Sequence, residues 1–175
     1  KLGSMLTDML ITMTDRGPDS AGLAIYGRDE DANTQLTIQS GNPAQDFEGL
    51  DTILSEAANT QVSVRIKDTH AVREVPDEHA DDVRDALAEL RPNIRVMSAG
   101  DIIEIYKEVG LPKDVAERFD LAQMSGSHGI GHTRMETESA VTTMGAHPFS
   151  TGSDQCLVHN GSLSNHNSLR RKLKR

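Results

Sequence analysis

Aromatic residues, cysteine and long apolar runs are scarce in this sequence. Among its 175 residues there is no Trp, aromatic residues make up 3%, and Cys156 is the single cysteine. One cysteine excludes an internal disulfide and fits a reducing compartment, so we expect a cytoplasmic protein. No apolar run approaches the roughly 20 residues that a membrane-spanning helix needs, and we therefore expect no membrane partner.

Basic residues are too few for a surface that binds nucleic acid. The formal net charge is −9 at pH 7, whereas nucleic-acid recognition needs a basic patch. The basic cluster at residues 170–175 is interpreted as the solvated end of a helix. The sequence has no secretory signal pattern, and both of its ends fall inside helical patterns. We therefore expect one domain over residues 1–175 that is truncated at both ends.

Apolar periodicity predicts an α+β fold. Helical spacing is found in five segments: 2–13, 51–59, 77–90, 101–109 and 112–119. Strand-like patterns are found at 23–27 and 35–39, interpreted as a hairpin around the polar loop from Arg28 to Thr34, and at 62–66, 127–133, 140–144 and 155–158. Because the acidic segment 44–121 is rich in predicted helices, we expect it to be an insertion within one β-rich core, or a separate small lobe.

The segment from Gly131 to Thr137, with the later pair Asn160-Gly161, carries the most functional information. Arg134 is a permanently charged guanidinium whose planar fork suits a carboxylate. The Thr137 hydroxyl, three residues later, would lie near the same ligand. The Asn160 amide and the Gly161 N–H are the two donors that an oxyanion hole requires. Taken singly, the same residues also fit a surface ion pair and a tight turn.

The histidines and the cysteine do not predict a metal site or a nucleophile. His128 and His132 are four residues apart, but the two glycines between them disfavour a helix, and no paired Cys or carboxylate stands at ligand spacing. Cys156 lies in an apolar strand pattern, where a thiol is usually an inert small hydrophobe. No Gly-rich loop has the spacing that binds phosphate. We therefore expect neither a metal nor a cofactor.

Four short motifs, in order along the chain, give the sequence a family resemblance. They are Arg16–Gly22 (RGPDSAG), Gly131–Arg134 (GHTR), His147-Pro148 and His159–Gly161 (HNG). With these motifs the chain resembles the class II glutamine amidotransferases, which are N-terminal-nucleophile hydrolases. The resemblance implies a four-layer αββα sandwich. Within the family, the long middle segment and residues 139–148 look most similar to the stand-alone amidotransferase subunits of glutamate-synthase-type and N-methylglutamate-synthase-type enzymes.

The resemblance implies a transferase that takes ammonia from glutamine. An N-terminal Cys attacks the side-chain amide, a glutamyl thioester forms and is hydrolysed to glutamate, and ammonia is delivered to a synthase partner, here a glutamate-synthase-like subunit in a hetero-oligomer. Carried over to this sequence, Arg134 would bind the α-carboxylate of glutamine, with Thr137 and His147 completing the pocket. Asn160 and Gly161 would hold the oxyanion.

The sequence also departs from the family pattern. Arg16 and Asp19 are expected in the loop that supports the strand of the nucleophile, but that Cys is not among these residues, so we expect the 175-residue chain not to hydrolyse glutamine. The acidic residue that grips the amino group of glutamine is expected after residue 175. Glu136 stands where the family has a small residue, and its carboxylate would compete for Arg134.

Two other functions remain open on the sequence alone. One is a non-catalytic domain of the same fold that binds an amino acid or regulates an enzyme and has lost the cysteine. A Cys directly after the initiator Met would support the enzyme, and any other residue there would support the binding domain. Another N-terminal-nucleophile hydrolase, such as one that opens acylated amines, would not need an α-carboxylate clamp like Arg134. A comparison of glutamine with N-acyl substrates separates that hydrolase from a glutaminase.

Overall fold

Helices and strands are interspersed along the chain, of which the computed structural model describes residues 1–27, 33–135, 140–161 and 165–174. The helices are α1 (Leu2–Thr12), α2 (Pro43–Asp46), α3 (Leu50–Ala58), α4 (Ala80–Leu90), α5 (Pro112–Arg118) and α6 (His166–Leu173). The strands are β1 (Ser20–Tyr26), β2 (Asn33–Gln39), β3 (Ser63–Lys67), β4 (His70–Pro76), β5 (Arg95–Gly100), β6 (Ile103–Val109), β7 (His128–Arg134), β8 (Phe149–Gly152) and β9 (Gln155–Leu157). Each helix in the described ranges is too short or too polar to cross a membrane.

The first sheet, sheet A, is antiparallel and has the strand order β6-β1-β7. Helices α1 and α5 cover one of its faces. Leu6 and Leu10 lie four residues apart in α1 and therefore project from the same side of the helix. Burial of such side chains stabilises a fold by about 1.5–3 kcal/mol each. The buried residues of this layer include Leu6, Leu10, Leu23, Ile25, Tyr106, Val115 and Phe119.

The second sheet, sheet B, has the order β3-β4-β2-β5 and carries α3 and α4 on one face. The sequence sets the helix ends. Helix α3 ends at Ala58 and is followed by Asn59, whose φ of 48° is the left-handed conformation common after helices. Helix α5 starts with Pro112 in its first turn. The buried residues between sheet B and its helices include Leu36, Ile38, Ala71, Val75, Leu50, Leu54, Val83 and Leu87.

Residues of β2 and β4 contact sheet A and the end of helix α5, which covers it. The N–H of Ile105 in β6 donates to Thr37 Oγ1 at 3.4 Å. The His70 ring of β4 packs edge-on against the Phe119 ring, with centroids 4.8 Å apart. Two helix-covered sheets thus confirm the sequence-based expectation of an α+β fold. The αββα sandwich of N-terminal-nucleophile hydrolases stays a prediction.

Several sequence-based elements are confirmed and three are wrong. The predicted helices at 2–13, 51–59, 77–90 and 112–119 and the strands at 23–27, 35–39, 62–66, 127–133 and 155–158 are present with shifted ends. The predicted hairpin is wrong, because β1 pairs with β6 and β7 whereas β2 pairs with β4 and β5. Segment 103–109 is a strand and not a helix, since burial on both faces hides the period of two. No strand forms at 140–144, where a 3-10 turn closes the segment.

The helical character expected for segment 44–121 is confirmed only in part, because α3, α4 and α5 alternate there with strands. Strands β3 to β6 lie within it, and β4, β5 and β6 pair with β1 and β2 from the N-terminal part of the chain. The segment therefore completes both sheets in this structure. Its status as an insertion or a separate lobe, and the extent of the domain, stay predictions.

Arg73 of β4 is fully buried without a counterion among the described residues. Its side chain is 0% exposed and shares a strand face with Ala71 and Val75, in the apolar layer beneath α3 and α4. In the part of the chain that the structure describes, none of its three side-chain nitrogens has a hydrogen-bond partner. Burial lowers the pKa of Arg73 to about 10. Because an unpaired buried charge is costly, Arg73 destabilises this core.

Replacement of Arg73 by an apolar side chain of similar length tests this conclusion. We expect Arg73→Met to raise the free energy of unfolding by about 1–3 kcal/mol, because the desolvation cost of the charge is removed. Urea denaturation measures the change. The control is Arg84→Met on the exposed side of α4, where the guanidinium contacts Asp81 at 3.2 Å and the change should stay within about 0.5 kcal/mol. A loss of stability in Arg73→Met would mean that the guanidinium has a partner.

Candidate functional site

Sheet A presents polar residues at one end of one face. Residues directly opposite on antiparallel strands project from the same face, so Lys107, Gly22 and His132 form one row across the sheet. The neighbouring row contains Ser20 and Arg134. The polar end of sheet A, defined by these five residues, lies where β7 ends and β1 begins. The same face is apolar further along the strands, at Ala24, Tyr26, Ile103 and Ile105.

Gly22 provides the space in which the segment Ala146–Pro148 crosses this face. A Cβ atom at Gly22 would lie 2.1 Å from the main-chain oxygen of His147 and 2.5 Å from the Cβ atom of Lys107. Neither distance is compatible with a side chain at this position. The His147 backbone therefore reaches the middle strand because residue 22 is glycine. The RGPDSAG motif and the His-Pro motif thus meet in the fold.

His132 and His147 form a pair of neutral imidazoles at the polar end of sheet A. Their ring centroids are 4.5 Å apart, with 36° between the ring planes. Burial lowers the pKa of His147 to about 4, an effect strengthened by the positive potential of His132, Arg134, Lys107 and His159. Burial and Arg134 also lower the pKa of His132. The Nδ1 atom of each ring is buried and has no hydrogen-bond partner among the described residues, so each keeps one unused donor or acceptor, according to tautomer.

Main-chain contacts fix Arg134 at the end of β7. Its carbonyl accepts a hydrogen bond from the Asp19 N–H at 3.1 Å, and Pro18 forms an isolated bridge with it. A Cβ atom at Gly17 would lie 2.4 Å from the Arg134 nitrogen, so the chain can approach this closely only with glycine at position 17. The motifs at 16–22 and 131–134 are therefore in direct contact.

The half-buried Arg134 side chain reaches the segment that carries His147. Its Nη1 donates a hydrogen bond to the carbonyl of Gly145, the last residue of the 3-10 turn Thr143–Gly145. Arg134 and His147, which the sequence predicts in one pocket, are thus brought to the same end of sheet A. Their contact with a substrate stays a prediction. Glu136, the expected competitor for Arg134, lies outside the described residues.

Lys107 is a functional candidate that the sequence analysis missed. It is 3% exposed, and its ammonium group donates to the carbonyls of Ala146 at 2.9 Å and Pro148 at 3.1 Å. The same nitrogen lies 4.4 Å from the centroid of the Phe149 ring. Burial lowers the pKa of Lys107 to about 8. No sequence pattern marks it, because its partners are main-chain oxygens 39 and 41 residues further along the chain.

The Asn160-Gly161 pair lies on the surface after β9, and both residues are exposed. The preceding residue, His159, contributes to the positive potential that lowers the pKa of His147. Convergence of the two donors on the same ligand stays a prediction. Thr137, the remaining predicted pocket residue, lies outside the described residues.

Asp154 anchors the hairpin that precedes Asn160. It occupies the turn between β8 and β9 with a φ of 54°. Its carboxylate accepts three main-chain N–H groups from the turn between β5 and β6: Asp101 at 3.0 Å, Ile102 at 2.9 Å and Ile103 at 3.1 Å. Bonds of this kind, to a charged acceptor, are stronger than neutral ones. The position of the β8–β9 hairpin is therefore fixed by the β5–β6 turn.

The polar end of sheet A combines two cations with two neutral imidazoles. This set suits an anionic group such as a carboxylate, which Arg can bind through parallel hydrogen bonds. The half-buried Cys156 lies away from it, with Sγ 3.4 Å from the hydroxyl of Tyr26 at the apolar end of the face. Within the described ranges, no group of three or more His, Cys, Asp or Glu is arranged to hold a metal.

Two curated proteins are similar to nearly the whole chain. The glutamine amidotransferase-like protein GlxB of Rhizobium meliloti (strain 1021) is 65% identical over 173 residues, which cover 99% of this chain and 57% of that protein. A putative glutamine amidotransferase of Methanothermobacter thermautotrophicus is 31% identical over 190 residues, covering 99% of this chain and 60% of that protein. The chain thus spans less than two thirds of the length of these relatives. The similarities support a glutamine amidotransferase domain.

Shorter similarities extend to aminotransferases. A glutamine–fructose-6-phosphate aminotransferase (isomerizing) of Methanococcus maripaludis is 33% identical over 79 residues, which cover 45% of this chain and 13% of that protein. No protein-family model matches the chain. Membership of class II and the glutamate-synthase subtype stay predictions.

A side chain at position 22 should displace the His147 segment. We expect Gly22→Ala to lower the free energy of unfolding by about 1–3 kcal/mol, the usual cost of overpacking, and to shift the ring resonances of His132 and His147 in NMR spectra. Gly41→Ala is the matched control, because a Cβ there would meet no atom within 4 Å. Equal effects of the two substitutions would contradict the close approach.

Protonation of His147 should weaken the fold. Since its pKa of about 4 lies below the ordinary value near 6.5, the unfolded chain binds the proton first. The contribution of neutral His147 to the free energy of unfolding is therefore complete above pH 6.5 and is lost as the pH falls through about 4.

Urea denaturation between pH 7 and 4 measures this loss. Burial also lowers the pKa of His70 to about 3, so His70 contributes to the pH dependence of the free energy of unfolding. Comparison of the wild type with His147→Gln isolates the contribution of His147. We expect a flatter profile for His147→Gln. An identical slope in both proteins would refute the assignment of a lowered pKa to His147.

Proposed function

We propose that this chain is the glutamine-binding part of a class II glutamine amidotransferase, similar to the amidotransferase subunits of glutamate-synthase-type enzymes. The observation that carries the proposal is the meeting of three motifs at the polar end of sheet A: segment 17–19, Arg134 and His147. The similarity to proteins named glutamine amidotransferases supports it. The proposal includes the αββα sandwich of N-terminal-nucleophile hydrolases and a cytoplasmic location.

Arg134 binds the α-carboxylate of glutamine in this proposal. A guanidinium has five N–H donors, so its contact with Gly145 orients the group without by itself excluding a carboxylate. His147 and Thr137 complete the pocket. A neutral His147 offers hydrogen bonds without repelling the amino group of the substrate, while Lys107 and Arg134 supply the positive potential that attracts the carboxylate.

Asn160 and Gly161 stabilise the oxyanion in the proposed reaction. The α-amino group of an N-terminal Cys, outside these 175 residues, accepts the proton of the Cys thiol, and the resulting thiolate attacks the amide carbonyl of glutamine. The Asn160 amide and the Gly161 N–H bind the resulting oxyanion. The α-ammonium group returns the proton to the amide nitrogen, which leaves as ammonia, and water hydrolyses the thioester to glutamate. The ammonia passes to a glutamate-synthase-like subunit in a hetero-oligomer. Cys156 has no part in this reaction, because its thiol contacts Tyr26 at the apolar end of the sheet.

Substitution of Arg134 tests substrate binding in the protein that carries its natural N-terminus. We expect Arg134→Ala to raise KM for glutamine by about 10- to 100-fold, because loss of a charge-assisted contact costs about 1.5–3 kcal/mol. Arg134→Lys should restore little of the affinity, since an ammonium cannot bind a carboxylate bidentately. Initial rates of glutamate release measure both variants.

Arg84→Ala is the control, because Arg84 lies on the exposed surface of α4 and should leave KM unchanged. An unchanged KM in Arg134→Ala would remove Arg134 from the pocket. If the protein with its natural N-terminus binds glutamine but releases no glutamate, the chain is a binding or regulatory domain of this fold and not an enzyme.

A further inference from the structure

Lys107 contacts the backbone on both sides of His147. Its ammonium group bonds to the carbonyl of the residue before and to that of the residue after this histidine, at 2.9 and 3.1 Å. The His147 carbonyl lies against Gly22, where a Cβ atom would be 2.1 Å away. Three consecutive carbonyls are thus held against the same row of sheet A. Given the proposed amidotransferase function, on which this inference rests, we propose that Lys107 is a positioning residue that holds the His147 imidazole in the substrate pocket.

The surroundings of Lys107 distinguish it from an ordinary lysine. Lysine is almost never fully buried without a charged partner, yet Lys107 is 3% exposed, and its hydrogen-bond acceptors among the described residues are main-chain carbonyls. The face of the Phe149 ring, 4.4 Å from Nζ, adds a cation–π contact. A methionine would fill a similar volume without the cost of desolvating a charge. The role of the ammonium group is therefore to hold the segment Ala146–Pro148 through its hydrogen bonds.

The sheet register explains how Lys107 acts on His147. Lys107 and His132 flank Gly22 on the two neighbouring strands, so the segment that crosses Gly22 is held between them. The lysine fixes the backbone on one side, and the His132 ring lies 4.5 Å from the His147 ring on the other. A 1 Å displacement of a binding group can lower kcat/KM by as much as about 100-fold. Lys107 thus controls the site without touching the substrate.

Lys67 provides a matched control for the loss of a partly buried lysine. Its ammonium group also donates to a main-chain carbonyl, that of Phe119 at 3.4 Å, and lies 5.7 Å from the centroid of the Tyr106 ring. It belongs to β3 in sheet B and makes no contact with the 146–148 segment in the part of the chain that the structure describes. Any general effect of removing such a lysine should therefore appear in Lys67→Met as well.

The experiment combines kinetics with an NMR titration of the His147 ring. In the protein with its natural N-terminus, we expect Lys107→Met to raise KM for glutamine by about tenfold or more, with a smaller change in kcat, because a binding group is displaced. Lys107→Arg should restore most of the affinity, since it retains the charge and the donors. Lys67→Met should leave KM unchanged. In the NMR titration, the pKa of His147 should rise in Lys107→Met and stay as in the wild type in Lys67→Met.

The charged and titratable groups around His147 make the NMR arm specific. His132, Arg134 and His159 also act on this ring, and they remain in every variant, so a change reports the loss of Lys107. If Lys107→Met does not fold, Lys107→Gln replaces it, because a shorter neutral amide cannot hold both carbonyls. The positioning role is overturned if the position-107 variant matches Lys67→Met in KM, whatever the His147 titration shows, because loss of the Lys107 charge alone raises the pKa of His147. If the wild type neither binds nor hydrolyses glutamine, the proposed function fails, while the ring resonances of His132 and His147, whose rings lie 4.5 Å apart, still report whether His147 is displaced in Lys107→Met and not in Lys67→Met.

Discussion

The approach of the His147 backbone to the middle strand of sheet A is the contact on which the rest of the site depends. It is possible because Gly22 has no side chain, and the neighbouring strands then supply Lys107 and His132 on either side of the crossing segment. The 3-10 turn before His147 brings Gly145 to the Arg134 guanidinium. The absence of a side chain at position 22 thus allows residues from four separate parts of the sequence to lie close together.

Charge is distributed unevenly in this acidic protein. The chain carries a net charge of −9, yet the polar end of sheet A contains the cations Lys107 and Arg134. The neighbouring imidazoles are kept neutral by burial and by those cations, so they add hydrogen-bonding atoms without more positive charge. Electrostatic interactions are stronger where water is excluded. A small anionic group is therefore favoured at this position although the molecule as a whole repels anions.

The sequence predicted those elements in which the spacing of apolar residues matches the face that is buried. Val83 and Leu87 follow helical spacing and are buried in α4, and the charge and geometry of arginine made Arg134 a candidate from residue type alone. β6 was misread because both faces of Ile103–Val109 are largely buried, which removes the alternation of a strand. Lys107 could not be found by pattern, because main-chain carbonyls distant in sequence are its partners.

The carboxylate of Asp154 ties the β8–β9 hairpin to the turn between β5 and β6 through three N–H groups at 101–103. The carboxylate also packs directly against the backbone of Gly100, where a Cβ atom would lie 2.2 Å from Asp154 Oδ1. One residue added to or deleted from that turn would move the hairpin and, with it, the Asn160-Gly161 loop. The contact with Asp154 therefore constrains the length of the β5–β6 turn.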